Sequence, residues 1–256
     1  MKVNVVAIIQ GRMSSSRLPE KILLDIGGQP MLTRVVLRAR RAQMVDQVVV
    51  ATTTDPSDDP VAEFCQKRGY PYYRGNLYDV LDRYYQAAKL FKADVVVRLT
   101  ADCPVIDPGE IDRTIKAFFD SGADFAANRL PPPFTRTTPI GLDTEVCSFD
   151  ALKRAWNEAE AQYEREHVMP YLYDEPGRFK TVLVNHDPDY GHFRWTVDTP
   201  ADLALLREIY ASFNNSDEFT LEDLLEKSKE HPEWQAINAN IRHNTFKDTD
   251  ERVKGG

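Results

Sequence analysis

The sequence predicts an α/β protein with a mostly parallel central sheet flanked by helices. Short runs rich in β-branched residues, such as residues 3–9 (VNVVAII), are typical of strands buried on both faces of a parallel sheet. Segments with apolar residues at helical spacing lie between these runs, and this alternation indicates a doubly wound sheet. The chain has 256 residues, 42% of them hydrophobic, which is enough for one such domain with a buried core.

The first half of the chain alternates strands and helices regularly. The β-branched and aromatic runs predict strands at residues 3–9, 47–51, 70–73, 95–99 and 124–127. Apolar residues at helical spacing predict helices at residues 31–41, 61–68, 80–91 and 111–120. Turn residues 55–58 precede the second helix and Pro108 precedes the fourth, and both are typical of helix starts.

The second half is interrupted by a proline-rich segment. Residues 130–139 (LPPPFTRTTP) contain three consecutive prolines, which cannot continue a helix or an inner strand. Residues 129–140 are therefore predicted to be an irregular excursion, either a flap over a site or an arm to a partner subunit. Beyond it we predict strands near residues 144–146 and 180–184, and helices at residues 149–159, 165–173, 200–210, 219–229 and 234–241.

This organisation predicts one domain over residues 1–243, with a helical C-terminal segment at 216–243. The polar residues 244–256 are predicted to be a flexible tail. The apolar run 5–9 is too short to cross a bilayer, and the N-terminal segment lacks a signal-peptide pattern, so a cytoplasmic location without membrane insertion is expected.

Charge and cysteine content exclude further classes. The net charge of −8 argues against a general affinity for nucleic acid. The three cysteines are scattered and form no C-x-x-C pair, so neither a disulfide framework nor a cysteine metal site is expected. Residues 1–41 are nevertheless basic, with eight Lys and Arg against two acidic residues, and a small anion could bind at that end.

The loop after the first strand, residues 10–21 (QGRMSSSRLPEK), suits a polyphosphate. In an open parallel sheet, ligands bind beyond the carboxyl ends of the strands. Backbone N–H groups near Gly11 can approach oxygen atoms closely, while Arg12, Arg17 and Lys21 can neutralise their charge. The loop is neither a Walker A loop nor a G-x-G-x-x-G loop, and a solvated basic turn is the alternative interpretation.

Two aspartates are candidate magnesium ligands. Asp102 follows a predicted buried strand in the segment LTADCP, and Asp198 lies in the segment RWTVDTPADL. Mg²⁺ takes few protein carboxylates and completes its coordination with phosphate oxygens and water. The competing interpretation for both aspartates is capping of backbone N–H groups.

Two further motifs contain candidate acceptor residues. The alternation in GLDTEV places Asp143 and Glu145 on one face of a predicted strand, where they could bind sugar hydroxyls or face water. Glu166 and His167 lie near the start of a predicted helix, where His167 could orient a substrate or serve a structural role. His186 and His192 lack metal-ligand spacing.

Taken in order, these motifs resemble the cytidylyltransferase family that includes the spore-coat polysaccharide biosynthesis protein F group. More distantly, they resemble the cytidylyltransferases for acylneuraminate and 3-deoxy-manno-octulosonate. The resemblance covers residues 3–241 and rests on the loop 10–21 followed by LTADCP, GLDTEV, REHV and RWTVDTPADL. The chain departs from the pattern at Gln10-Gly11, where the sialic and octulosonate enzymes begin with I-P-A-R, and at Ala101, which is usually Gly.

The resemblance implies a nucleotide-diphospho-sugar transferase (GT-A-like) fold. It also implies transfer of CMP from CTP to a sugar or sugar acid, with release of pyrophosphate, in the supply of activated sugars for surface polysaccharide. Mg²⁺ would be the cofactor, held by Asp102 and Asp198. The implied nucleotide-binding residues are Gln10, Gly11, Arg12, Arg17, Lys21, Thr100 and Asp102, of which Arg12, Lys21 and Asp102 would be catalytic. The implied acceptor-binding residues are Asp143, Glu145, Glu166, His167 and Arg194.

Other functions stay open at this point. A glycosyltransferase that consumes a sugar nucleotide is the main alternative, although Asp102-Cys103-Pro104 lacks the second Asp of a D-x-D motif. A non-catalytic nucleotide-binding module is a further alternative. The identity of the acceptor, the choice of cytosine over other bases, and a homodimer formed through the proline-rich segment are not fixed by the sequence.

Overall fold

A computed structural model describes residues 2–241, and the predicted tail at 244–256 lies outside the described residues. The strands are β1 Val5–Gln10, β2 Asp25–Ile26, β3 Gln29–Pro30, β4 Gln47–Thr53, β5 Tyr72–Gly75, β6 Val95–Thr100, β7 Phe125–Ala127, β8 Glu145–Ser148 and β9 Thr181–Leu183. The helices are α1 Met31–Ala39, α2 Asp59–Arg68, α3 Val80–Leu90, α4 Pro108–Ser121, α5 Phe149–Glu158, α6 Gln162–His167, α7 Pro170–Tyr173, α8 Pro200–Ser212, α9 Leu221–Glu230 and α10 Trp234–Ile237.

Seven strands form one sheet in the order β5-β4-β1-β6-β8-β7-β9. Strands β5, β4, β1 and β6 are parallel, whereas β8 runs antiparallel to both of its neighbours. Strands β2 and β3 form a separate two-stranded hairpin. The predicted fold class, an α/β protein with a mostly parallel sheet, is confirmed.

Helices cover both faces of the sheet and bury its central strands. Ile9 and Val97 are fully buried against a layer that includes α1, α2, α4 and α8. Ile8 and Val96 are fully buried against the opposite layer, which includes α3, α5 and α7. Burial on both faces explains why β1, β4 and β6 have apolar sequences without polar alternation.

The parallel register brings the functional loops together. Gln10, the last residue of β1, is in register with Thr100, the last residue of β6. The loops that follow these two strands therefore emerge side by side at the carboxyl edge of the sheet, where open α/β sheets bind ligands.

Two predicted elements differ from the structure. The helix predicted at 165–173 is two short helices, α6 and α7, because Val168 adopts a left-handed φ of 73° and ends the first of them. Glu166 and His167 therefore lie at the end of a helix, not at its start. Asp143 precedes β8, so the prediction that Asp143 and Glu145 share one face of a strand is wrong.

The proline-rich segment is irregular, as predicted. Residues 129–140 contain neither helix nor strand, and they pack against residues 185–195 of the same chain. The amide of Tyr190 donates to the carbonyl of Thr137 at 2.9 Å, and Ile140 forms an isolated bridge with Arg194. This contact fixes the start of the segment that carries Asp198.

Part of the basic charge near the N-terminus is structural. Arg34 and Arg38 on α1 are both buried. Arg34 donates to the carbonyl of Asn215 at 2.9 Å, and Arg38 donates to the carbonyl of Phe219 at 3.0 Å. These two arginines anchor the segment between α8 and α9. The loop 10–21 is therefore the part of this basic region where the predicted anion would bind.

Candidate functional site

Gly11 allows the loops after β1 and β6 to pack in contact. A Cβ atom at Gly11 would lie only 2.7 Å from the Cβ atom of Ala101. The amide of Gly11 donates to the carbonyl of Ala51 at 3.1 Å, so it is not directed at a phosphate as we predicted. The close approach also accounts for Ala101, which stands where the related cytidylyltransferases usually have Gly. A side chain at either position 11 or position 101 requires glycine at the other.

The loop 10–21 is held by a buried carboxylate that the sequence analysis interpreted only as a turn and cap residue. Asp58 is fully buried. It accepts hydrogen bonds from the amide of Met13 at 2.7 Å and from the amide of Thr53 at 3.2 Å. Because both oxygens of Asp58 bind backbone amides, the loop has a fixed path above the end of β4.

Lys21 connects the two predicted metal ligands. It begins a 3-10 helix at Lys21–Leu23, and its side chain is 11% exposed. The Nζ atom donates to Asp102 at 2.8 Å, to Asp198 at 3.0 Å and to the carbonyl of Val197 at 2.9 Å. Burial lowers the pKa of Lys21, but the charges of both aspartates and their hydrogen bonds outweigh it and raise the pKa. Lys21 is therefore an ammonium between two carboxylates.

A backbone contact brings Asp198 to Asp102 across 96 positions of sequence. The amide of Val197 donates to the carbonyl of Asp102 at 2.8 Å, and the hydroxyl of Thr196 donates to the same carbonyl at 3.0 Å. Both aspartates thus follow segments that lie side by side. This contact explains how two distant motifs form one site.

Asp198 is surrounded by positive charge. It accepts from Arg17 at 3.1 Å and from Arg194 at 2.9 Å, in addition to Lys21. Burial would raise the pKa of Asp198, but the charge of Lys21, its hydrogen bond and the two arginines outweigh burial and lower the pKa to about 2. Asp198 is therefore ionised throughout the physiological pH range.

Arg194, a predicted acceptor-binding residue, links Asp198 to the buried carboxylate of Asp202. Its Nε and Nη2 atoms donate to the two oxygens of Asp202 at 2.9 Å and 3.0 Å, and Asp202 is fully buried. Asp202 also accepts from the amides of Asp198 and Thr199 at 3.0 Å. Arg194 and Asp202 together fix the orientation of the Asp198 carboxylate, a role that the sequence analysis missed for Asp202.

The donor set fits a magnesium ion. Two carboxylates, Asp102 and Asp198, converge on one cationic atom, and each carboxylate offers about four lone-pair positions. Lys21 takes one position from each carboxylate, and Arg17 and Arg194 take two more from Asp198. Among residues 2–241, no group of three or more His, Cys, Asp or Glu side chains converges as a metal site. Mg²⁺ accepts such sparse protein ligation because phosphate oxygens and water complete its coordination.

A cavity of about 150 Å³ adjoins the loop 10–21. Among the residues that line it are four of the predicted site residues and two arginines that were not predicted, namely Gln10, Arg12, Glu166, His167, Arg83 and Arg98. Arg98 interrupts the apolar run VVVRL, and a charged residue inside a buried strand is the signal that could have identified it.

Three other predicted residues, Thr100, Asp143 and Glu145, are not among the residues that line this cavity. Glu145, a predicted acceptor residue, is bound by Arg98 at 2.5 Å and is buried. Asp143 forms a two-pronged pair with Arg136 at 2.6 Å and 3.0 Å. The hydroxyl of Thr100 lies 3.2 Å from the sulfur of Cys103, beside the carboxylate of Asp102. The structure leaves the acceptor-binding roles of Asp143 and Glu145 as predictions.

Fold and site together define a class of protein. The molecule has an open α/β sheet in which a basic loop and the carboxylate of Asp102 follow the adjacent parallel strands β1 and β6, and Lys21 links Asp102 to Asp198. This is the arrangement of a nucleotide-binding α/β protein. The chain belongs to the cytidylyltransferase family, whose profile matches residues 6–226. The resemblance inferred from the motifs is thereby confirmed, and the family is one of CTP-using nucleotidyltransferases.

Individual relatives agree with this assignment. Spore coat polysaccharide biosynthesis protein SpsF of Bacillus subtilis is 29% identical over 238 residues, covering 90% of this chain and 96% of that protein. The 3-deoxy-manno-octulosonate cytidylyltransferase of Chlorobium luteolum is 32% identical over 176 residues, covering 66% of this chain and 67% of that protein. A solved structure of a cytidylyltransferase from Leptospira borgpetersenii has a TM-score of 0.85 at 33% identity, covering 95% of this chain and 100% of that chain.

Proposed function

We propose that this protein transfers CMP from CTP to a hydroxyl group of a sugar or sugar acid and releases pyrophosphate. The observation that carries the proposal is the buried ammonium of Lys21 bound to both Asp102 and Asp198 at the carboxyl edge of the sheet. The names of the relatives, which include a polysaccharide biosynthesis protein and a sugar-acid cytidylyltransferase, support both the donor and the class of acceptor.

The chain's own residues would act by positioning and by neutralising charge. Phosphoryl transfer depends mainly on these two effects and needs no covalent enzyme intermediate. Lys21 and Arg17 lie on the loop 10–21 and would stabilise negative charge on the departing pyrophosphate. Arg12, also on this loop, would face the nucleotide from the side of the cavity. Arg194 and Asp202 would hold Asp198 in one orientation during the reaction.

The proposal includes Mg²⁺ as the cofactor. Asp102 and Asp198 would hold the ion, which supplies a positive charge for the phosphate oxygens when it is bound. Asp102 is the more accessible ligand, with a side chain that is 26% exposed against 15% for Asp198.

The location and assembly of the protein belong to the same proposal. In residues 2–241, no helix combines the length and the apolar character that crossing a membrane requires. A cytoplasmic reaction on soluble substrates is consistent with this finding. We also propose a homodimer formed through residues 130–139, in which Phe134, 49% exposed, would contact the partner subunit. Light scattering of the wild type and of Phe134→Ser tests this, and an unchanged mass for the variant would exclude that contact.

The experiment that tests the reaction is pyrophosphate release. Purified protein is mixed with Mg²⁺, one of CTP, UTP, ATP or GTP, and a panel of sugars and sugar acids. We expect pyrophosphate to appear with CTP and a member of the panel, and roughly 100-fold more slowly with Lys21→Met. A parallel reaction replaces the nucleoside triphosphate by a sugar nucleotide, and release of a nucleoside diphosphate there would replace this proposal with a glycosyltransferase. Binding of CTP without turnover over the whole panel would favour a non-catalytic module.

A further inference from the structure

Arg83 is a buried cation whose Nε and Nη1 atoms find no hydrogen-bonding partner among residues 2–241. Its side chain is 1% exposed. Burial lowers the pKa of Arg83 to about 10, and the charges of Asp58 and Asp79 offset this only in part. Buried charges in proteins are normally paired, so an unpaired guanidinium indicates a missing partner.

Two features of the fold affect Arg83, namely the space that Gly75 leaves for its side chain and the engagement of Asp79 by other groups. A Cβ atom at Gly75 would lie 3.1 Å from the Cγ atom of Arg83, so glycine at the end of β5 gives the arginine its space. Asp79, at the start of α3, is bound by Arg165 at 3.1 Å and accepts from the amide of Asp82 at 2.9 Å. Asp79, whose charge acts on Arg83, is therefore already bound by other groups.

The guanidinium lines the cavity of about 150 Å³ described above. Arg98 and Gln10 line the same cavity, and the Nε atom of Arg98 and the Oε1 atom of Gln10 also have no partner among residues 2–241. Arg12 adds a third positive charge to the lining, against Glu166 and the Glu145 carboxylate that is bound to Arg98. The cavity has space for about five water molecules at ~30 Å³ each, which is enough for a small anionic group.

We propose that this cavity is an anion subsite for the acceptor, in which Arg83 binds a carboxylate or phosphate group of the sugar. The inference rests on the proposed function and deepens it, because it restricts the acceptor to acidic sugars. The triphosphate of the donor is assigned to Lys21 and Arg17, which do not line this cavity. Arg12 lies on the loop that joins the two places, so a bound acceptor would reach towards the donor phosphates.

Binding of small anions to the loaded protein tests the subsite. The protein is first saturated with CTP and Mg²⁺, so that the loop 10–21 is occupied. Its melting temperature is then measured in sodium phosphate or sodium acetate and compared with that in sodium chloride at equal ionic strength. We expect phosphate or acetate to raise the melting temperature of the wild type, and Arg83→Met to abolish that rise. Arg83→Lys should restore part of it, because it returns the charge without the planar fork of donors. Arg68→Met, at an exposed position on α2, is the matched control.

The two anions distinguish the possible acceptors. A response to phosphate alone indicates a phosphorylated sugar, and a response to acetate alone indicates a sugar acid. If neither anion stabilises the wild type beyond chloride, or if the response persists in Arg83→Met, the subsite does not exist.

Two further measurements separate this inference from the alternatives. The dissociation constant of CTP should change by less than about threefold in Arg83→Met, and a loss of tenfold or more would assign the cavity to the nucleotide instead. Without ligands, Arg83→Met should melt at or above the temperature of the wild type, because the variant removes an unpaired buried charge. A clear drop in melting temperature would make Arg83 a structural residue. Failure of the wild type to bind CTP would contradict the proposed function but would leave the anion measurement on Arg83 intact.

Discussion

Replacement of Lys21 by methionine is the sharpest test of the site, because one change affects activity and acid stability in predictable ways. Lys21 is 9% exposed, and its Nζ atom donates to Asp102, Asp198 and the carbonyl of Val197. Methionine keeps most of the volume of the side chain and removes its charge. Loss of one such preorganised contact typically costs about 3 kcal/mol of transition-state stabilisation, so we expect CTP turnover to fall roughly 100-fold.

The effect on stability follows from the pKa of Asp198. In the native protein this pKa is about 2, against an ordinary value of 3.8, which corresponds to about 2 kcal/mol of stability at neutral pH. A lowered carboxylate pKa stabilises the native state above the ordinary value, and the contribution is lost as the pH falls towards 2. Arg17 and Arg194 remain in Lys21→Met, so the variant should lose part of this energy and not all of it.

Urea unfolding of the wild type and Lys21→Met at pH 7 and at pH 3 measures this. We expect the variant to be less stable by about 1 kcal/mol at pH 7, and the difference in stability should narrow at pH 3 as the carboxylates become protonated. Lys67→Met is the matched control, since Lys67 is 77% exposed and forms only a surface pair with Glu63. A difference in stability that is the same at both pH values would refute the electrostatic reasoning, and near-normal turnover would remove Lys21 from the mechanism.

Three other changes test the framework of the site. Asp202→Asn should lower the free energy of unfolding by about 3 kcal/mol, because it removes the buried charge that accepts two hydrogen bonds from Arg194; urea unfolding would show this, and a loss below about 1 kcal/mol would contradict it. Gly11→Ala should reduce both the melting temperature and CTP affinity through its contact with Ala101, and adding Ala101→Gly should restore both; a double variant as poor as the single one would show that the contact is not the cause. Asp58→Ala should release the loop 10–21 and weaken CTP binding by about tenfold in calorimetry, and an unchanged affinity would mean that Asp58 does not position the loop.

Local sequence patterns determined the fold class of this protein. Strands β1, β4 and β6 could be predicted because burial on both faces requires an uninterrupted apolar sequence, and the helices between them could be predicted from the spacing of their apolar residues. The helix predicted at 165–173 failed at Val168, whose left-handed backbone no local pattern of apolar residues reveals.

Part of the site could also be predicted from position in the chain. Lys21 and Asp102 follow buried strands, which predicted that both lie at the edge of the sheet where ligands bind. Asp198 was a candidate metal ligand from its motif, but the sequence could not show that it meets Asp102. The structure shows the physical cause, a backbone hydrogen bond between Val197 and Asp102.

Only the tertiary structure showed which charged residues hold the site together and which one is buried without an acceptor for two of its nitrogen atoms among the described residues. Asp202 and Asp58 appear in sequence as ordinary helix-start residues, and Arg83 as one more polar residue on an amphipathic helix. Their roles depend on burial and on partners that lie far away in the chain, such as Met13 for Asp58. Apolar spacing is a local property that a sequence displays directly, whereas the pairing of a buried charge is set by the packing of distant segments.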